Sequence, residues 1–354
     1  ENQNKLMCCT IEDNKTFKLK GLGRYYAENK VGHSFFGKSP WVFLNEEKET
    51  FVNIVREQGQ TLAEWDIKIN YGVKTGLNDA FWISQSECEA IAQSDPESAN
   101  IIKPMLRGRH IGAYEIEWDN LYLICTFPSK KYDIDNYPAV KNHLLSYAKS
   151  KLAESGYGWV ANDYLMEFCH KKLEQTGKEI IINGEKIYLS ALQAEKSRKK
   201  TVSKWFETQD QIAYYGDFAK QKIIYPIQTK EVSFYLDNEG YYINDKAFMI
   251  TGRHLGYLVA FFNSALFRYC FMDIFPLLQG GNRELREIIF ERIPVKDVTD
   301  EDDAEYERRV MEIQQMKREG LSTDDKEHEL DLMILAHYGL TDPEQQSKFF
   351  LKVQ

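Results

Sequence analysis

Four segments of the chain gather side chains of types that can bond phosphate oxygens or base edges. In DIKINYGVKTGLNDAFWIS (66–84), Lys74, Thr75 and Asn78 stand beside Gly72 and Gly76 between two apolar runs. Glycines let a backbone pass close to a partner, and Lys, Thr and Asn bond phosphate. The Walker pattern, GxxxxGK followed by Ser or Thr, is absent, which disfavours a nucleotide loop. An ordinary turn is the alternative. IIKPMLRGRHI (101–111) places Arg107 and Arg109 two residues apart. On an extended strand both would point the same way, and arginine grips phosphate or guanine with two N–H groups. Ion pairing to Glu115 or Glu117 accounts for them equally well.

The segment 194–230 carries Lys196, Arg198, Lys199, Lys200 and Lys204, then Trp205, Phe206, Tyr214, Tyr215 and Tyr225, and ends on the strand-like KIIYPIQ with Gln228 and Lys230. Positive charge attracts a polyanion backbone, and strand-borne Gln or Lys reads base edges. A solvated loop followed by core aromatics is the plainer reading. In FPLLQGGNRELREIIFERIPV (275–295), Gln279, Gly280, Gly281, Asn282 and Arg283 read as a flexible polar loop opening a helix, whose N–H groups suit a phosphate. A plain loop fits the same residues.

Catalytic signatures are thin. Acid-x-Lys triplets at Asp66-Ile67-Lys68, Glu28-Asn29-Lys30 and Asp324-Asp325-Lys326 are expected by chance in so charged a chain. GxSxG, HExxH, a glycine-rich methyl-donor motif and an Asn-Pro-Pro-aromatic box are all missing. Six cysteines lie without a CxxC pair, so no metal site and a reduced, cytoplasmic setting are expected. Cys169-His170 lacks a second ligand pair.

The elements that must position these groups follow from periodicity. With 354 residues, 43% of them hydrophobic, the chain is long enough for two or three packed units. The net charge of −9 is not evenly spread: residues 297–331 hold 14 acidic against five basic residues, and the remainder is neutral. An acidic total therefore does not exclude a polyanion partner. WVFL (41–44) reads as a strand, and Phe51, Ile54 and Val55 predict a helix ending near Gly59. NLYLICTF (120–127), the pair around Asn183-Gly184, KIIYPIQ, and the runs flanking Asp237–Gly240 predict strands in hairpin-rich order. The expected class is a mixed α+β fold with packed helices, not a doubly wound one.

His254–Phe271 reads as one buried helix, too interrupted by Asn263, Ser264 and Arg268 to span a membrane. After Pro294, Tyr306, Val310 and Ile313 form one helical stripe and Leu330, Met333 and Ile334 a second, ended by Gly339; Asp342-Pro343 starts another helix. Because the chain begins at Glu1, it is expected to be a piece of a longer protein.

Taken in order, EWDIKINYGVKTGLNDAFWI, IIKPMLRGRHI, KWFETQDQIAYYGDFAKQKIIYPIQTK, YLVAFFNSALFRYCF, FPLLQGGNRELREIIFERIPV and HELDLMILAHYGLTDPE resemble the TaqI-like C-terminal specificity domain of type IIG restriction-modification enzymes, over residues 64–344. The resemblance implies a target recognition domain that selects a duplex DNA sequence for a fused adenine-specific methyltransferase and a fused nuclease, both outside this chain. S-adenosylmethionine and Mg would belong to those domains, and this chain would hold neither cofactor nor catalytic centre. Its implied organisation is a tether (1–63), the recognition domain (64–296) and an acidic helical C-terminal segment (297–354). Two alternatives are the specificity domain of a phage-exclusion adenine methyltransferase without a nuclease, and a protein-interaction scaffold built on the acidic helices. The implied DNA contacts are Lys74, Thr75, Asn78, Arg107, Arg109, Lys196, Arg198, Lys199, Lys200, Lys204, Gln228, Lys230 and Gln279–Arg283.

Overall fold

The computed structural model describes residues 5–8, 21–34, 46–144, 179–182, 185–188, 204 and 206–350. The strand WVFL (41–44), Cys169-His170 and the basic cluster Lys196, Arg198, Lys199 and Lys200 lie outside them. The chain forms two compact units, one of residues 1–67, 228–232 and 256–354, the other of 68–227 and 233–255. The units are interleaved along the sequence. The class is mixed α+β, as the hairpin-rich pattern predicts.

In the unit 68–227 and 233–255, β-branched and aromatic runs make two four-stranded sheets. The first places Tyr235–Asp237, Lys222–Pro226, Ala247–Gly252 and Ile67–Tyr71 side by side. Ile223 stands opposite Leu236 on one flank and Ile250 on the other. The second runs Tyr242–Ile243, Ile102–Leu106, Leu121–Ile124 and Trp82–Ser84. Tyr242–Ile243 joins Ile102–Leu106 in parallel and the other neighbours are antiparallel. Ile224, Tyr235 and Met249 of the first sheet and Met105, Leu123 and Ile124 of the second belong to one apolar core with Phe81, Phe127 and Phe218. Burying each such large side chain contributes about 1.5–3 kcal/mol. The strands around Asn183-Gly184 pair as predicted, with Ile182 opposite Glu185.

The runs on either side of Asp237–Gly240 suggest a hairpin, yet they enter different sheets. Asp237 is the physical reason. Its carboxylate accepts N–H bonds from Glu239 (2.8 Å), Gly240 (3.2 Å) and Tyr241 (2.9 Å), and it pairs with the Lys222 ammonium, both side chains being fully buried. Lys222 Nζ also donates to Phe218 O at 2.6 Å. With the turn's donors engaged by a carboxylate, the chain leaves the first sheet and reaches the edge of the second.

In the other unit the apolar run 254–271 is two helices rather than one. Ser264 breaks it: its hydroxyl accepts from Phe267 N at 3.1 Å and caps Ala265–Phe271, so Leu255–Asn263 and the segment Ala265–Ile274 are bent by 64°. Among the described residues no single helix is long and apolar enough to cross a membrane. Around the pair pack Glu46–Gln58, the acidic helices Asp300–Arg318 and Asp324–His337, and Pro343–Phe350. Tyr306, Val310, Ile313, Leu330 and Ile334 are buried, so both predicted stripes find partners inside the chain.

Two carboxylates of the acidic helices serve the apolar pair directly. Asp303 Oδ1 accepts from Tyr257 N and Asp331 Oδ1 from Ala265 N, each at 2.8 Å, satisfying N–H groups that a helix start leaves unpaired. Burial lifts the Asp331 carboxyl to about 6, against the lowering pull of the Ala265 N–H and Arg268.

Replacing Asp237 with Ala strands the Lys222 ammonium and three N–H groups in the interior, and should cost about 3–5 kcal/mol in urea unfolding of the whole chain. A loss below about 1 kcal/mol would show that the knot is dispensable.

Asp331 gives a pH prediction. Its folded pKa lies above the unfolded value of 3.8, so the stability linked to its proton is complete below about pH 4 and lost as pH rises through about 6. Asp331→Asn keeps the acceptor without the charge. It should match the parent at pH 4 and exceed it at pH 8 by about 1–3 kcal/mol, read as a higher melting temperature.

Candidate nucleic-acid interface

The predicted contacts divide between the two units. In the unit 68–227 and 233–255, the Lys-Thr-Gly segment is a turn locked into the protein. Gly72 passes the Asn244 carbonyl so closely that an added Cβ would overlap backbone, and Val73 bridges Asn244. Gln209 N donates to Thr75 O (3.1 Å) and Asp210 N to Lys74 O (3.3 Å). Thr75 is fully buried; its hydroxyl donates to Asn78 Oδ1 at 2.6 Å and accepts from Leu77 N at 3.2 Å. The phosphate role expected of Thr75 is therefore corrected: its hydroxyl holds the turn. Asn78 is exposed, with its carbonyl oxygen engaged in that bond, and Lys74 is half-buried in the field of Asp210.

Arg107 and Arg109 do not share a strand face. The strand ends at Leu106, and Gly108–His110 is a tight turn in which His110 N donates to Arg107 O at 2.8 Å and Gly108 N to Asn244 Oδ1 at 3.1 Å. Arg107 pairs with Asp119, an acid outside the expected Glu115 and Glu117. Arg109 is exposed, and its Nε donates to His110 Nε2 at 3.1 Å. Burial lowers the His110 pKa, Asp119 opposing it and both arginines adding to it. Lys204 is exposed, its ammonium 5.5 Å from the centre of the Phe206 ring.

In the other unit the structure brings two distant motifs together. Gln228–Thr229 pairs antiparallel with Arg283–Glu284, Gln228 opposite Glu284 and Thr229 opposite Arg283, and Leu277 bridges Arg283 from the other flank. The result is a small ribbon. The expected polar loop at a helix start is instead the ribbon's hairpin tip: Gly281 N donates to Leu278 O (3.2 Å), Leu278 N to Asn282 O (2.7 Å), and Gly280 and Gly281 take φ of +90° and +83°. Such angles are open to glycine, so the glycine pair serves the turn.

The ribbon decides which side chains remain available. Arg283 is engaged inward, donating to Phe275 O at 3.0 Å and to Asp273 at 2.7 Å; its expected phosphate role gives way to bracing the hairpin. Gln228, Gln279, Gly280 and Gly281 are exposed, and Asn282 is half-buried. Lys230 is exposed and has no ion-pair partner among the described residues. Arg286 and Arg292, also exposed, are not among the residues the sequence motifs single out. The Glu-Leu-Arg spacing at 284–286 was the available signal, since residues two apart share a face in extended chain. The arrangement can offer amide, ammonium and guanidinium groups to a polyanion from an anchored backbone.

Two substitutions separate contact from bracing. Lys230→Ala should lower duplex affinity in low salt and reduce the salt slope by about one, with melting temperature unchanged. Arg283→Ala should instead lower the melting temperature by a few degrees, since it removes an ion pair and a carbonyl partner together. The reverse pattern would exchange the two roles.

The sequence model of the TaqI-like C-terminal specificity domain matches residues 103–295, which include the Arg107 turn and both halves of the ribbon. Among solved structures, the type IIG restriction endonuclease BpuSI aligns with a TM-score of 0.48 and 11% identity over 93% of this chain. The type IIL restriction-modification enzyme MmeI, solved in complex with DNA, aligns with a TM-score of 0.49 and 8% identity over 99% of it. The chain spans 36% of the length of BpuSI and 40% of that of MmeI. No curated protein matches it as a relative.

Proposed function

Because this chain belongs to the TaqI-like C-terminal specificity domain family, we propose that it selects the duplex DNA sequence on which a restriction-modification enzyme acts. The observation that carries the reading is the family match over 103–295, within which the anchored ribbon Gln228–Thr229 and Arg283–Glu284 presents exposed polar groups. Phosphate contacts would set register, from Lys230, Lys204, Arg109 and the cluster Lys196, Arg198, Lys199 and Lys200. Base-edge contacts from the ribbon would choose the site.

In the finer reading, adenine methylation and cleavage come from methyltransferase and nuclease domains fused to this one in a cytoplasmic enzyme. S-adenosylmethionine and Mg would act there. Extruding an adenine costs a few kcal/mol, and a domain gripping the neighbouring duplex helps offset it. The scaffold alternative is weakened by the acidic helices, whose apolar stripes are already covered within their own unit.

Enrichment from a random duplex pool tests the reading. The chain should retain one short motif at about 50 mM salt and release it steeply by about 200 mM. It should cut no duplex in magnesium. Retention without any preferred motif, or affinity indifferent to salt, would overturn the proposal.

A further inference from the structure

Glu284 and Arg286 form an arrangement on the ribbon that goes beyond a surface ion pair. Glu284 Oε2 accepts from Arg286 Nε at 2.7 Å and lies 2.7 Å from Nη2, so a single carboxylate oxygen occupies one edge of the guanidinium. Nη1 has no partner among the described residues, and the Arg286 side chain is 58% exposed. Both ends of the pair are fixed through the backbone. Glu284 N donates to Pro276 O (3.0 Å) and Arg286 N to Glu284 O (3.0 Å), while Arg286 O accepts from Ile289 N and Phe290 N (both 3.0 Å). Phe290 is fully buried, which ties this short turn to the core. Gln228 stands directly opposite Glu284, and cross-strand partners share a face.

A guanidinium carries five N–H groups in a rigid fork. When a carboxylate holds the edge shared by Nε and Nη2, the outer edge shared by Nη1 and Nη2 still presents two parallel donors, the spacing that matches guanine O6 and N7 in the major groove. The carboxylate offsets the charge that would draw the arginine to any phosphate, and it fixes where the outer edge points. Such a group gains selectivity more than affinity. We propose that Arg286, with Glu284 as its positioning residue, reads a guanine in the selected duplex, and that Gln228 meets the adjoining base pair on the same face. This rests on the reading of the chain as a duplex-DNA specificity domain.

The experiment is random-pool enrichment by the whole chain and by the Arg286→Ala, Arg286→Lys and Glu284→Gln variants, followed by binding to the retained duplex with 7-deazaguanine in place of each guanine. The unaltered chain should retain a motif with one invariant guanine, and loss of N7 there should weaken binding about tenfold or more. Arg286→Ala should lose the preference at that position alone and be indifferent to the 7-deaza change. Arg286→Lys should behave similarly, since an ammonium cannot make the paired contact, and its unchanged melting temperature would exclude a folding defect. Glu284→Gln should blunt the preference while tightening binding to unrelated duplex. A motif retained unchanged by all three variants would overturn this inference and leave the proposed function standing. Failure of the unaltered chain to retain any motif would overturn both.

Discussion

The unit that holds both four-stranded sheets depends on one buried ion pair. Lys222 and Asp237 are fully enclosed; burial lowers the lysine pKa, and the adjacent carboxylate opposes that shift. Desolvating two charges is costly, so such a pair is weak as a source of net stability. Its value is in what it excludes. Asp237 engages three successive N–H groups of the following turn, which prevents Tyr242–Ile243 from folding back beside Tyr235–Asp237. The freed strand instead joins Ile102–Leu106 in parallel, and two sheets share one core.

The second unit solves a different problem with the same chemistry. Its central helix pair is almost wholly apolar, and a helix start leaves backbone N–H groups that an apolar neighbour cannot satisfy. Asp303 and Asp331, reaching in from the acidic helices, supply the missing acceptors. Other acids pair locally, Glu305 with Arg308 and Arg309, whose donated bonds hold the Glu305 carboxyl down at about 2, and Glu327 with Lys317. A segment that looks hostile to a polyanion is in large part the polar coat and the capping set of a buried helix pair.

The ribbon inherits its rigidity from that unit. Arg283 joins the hairpin to Asp273, Lys48 of the helix Glu46–Gln58 pairs with the same carboxylate, and Phe290 anchors the following turn among Phe262, Phe267 and Phe275. Fixing the backbone and some side chains in this way lets the remaining ones meet a partner with little further ordering, which is the condition for discrimination rather than mere attraction.

Local chemistry along the sequence was sufficient for the helices and their ends: the stripe Tyr306, Val310, Ile313, the stop at Gly339 and the start at Asp342-Pro343 all follow from side-chain period and capping, which act within a few residues. It was also sufficient to single out Gln228, Lys230 and Gln279–Asn282 as polar groups, and of these Gln228, Gln279 and Lys230 stand exposed in the fold. Tertiary structure decided the rest. The break of 254–271 at Ser264 is a local cap three residues long, but whether 235–243 was a hairpin turned on a lysine 15 residues upstream of Asp237. Thr75 and Arg283 have the right chemistry for phosphate and are engaged inside the protein, while Arg286 is set outward by a neighbour two residues away. A residue's type is fixed by the chain; which of its donors stay free is fixed by the conformation that folding imposes and the partners it brings beside them, some near in sequence, as for Thr75 and Arg286, and some remote, as for Lys222.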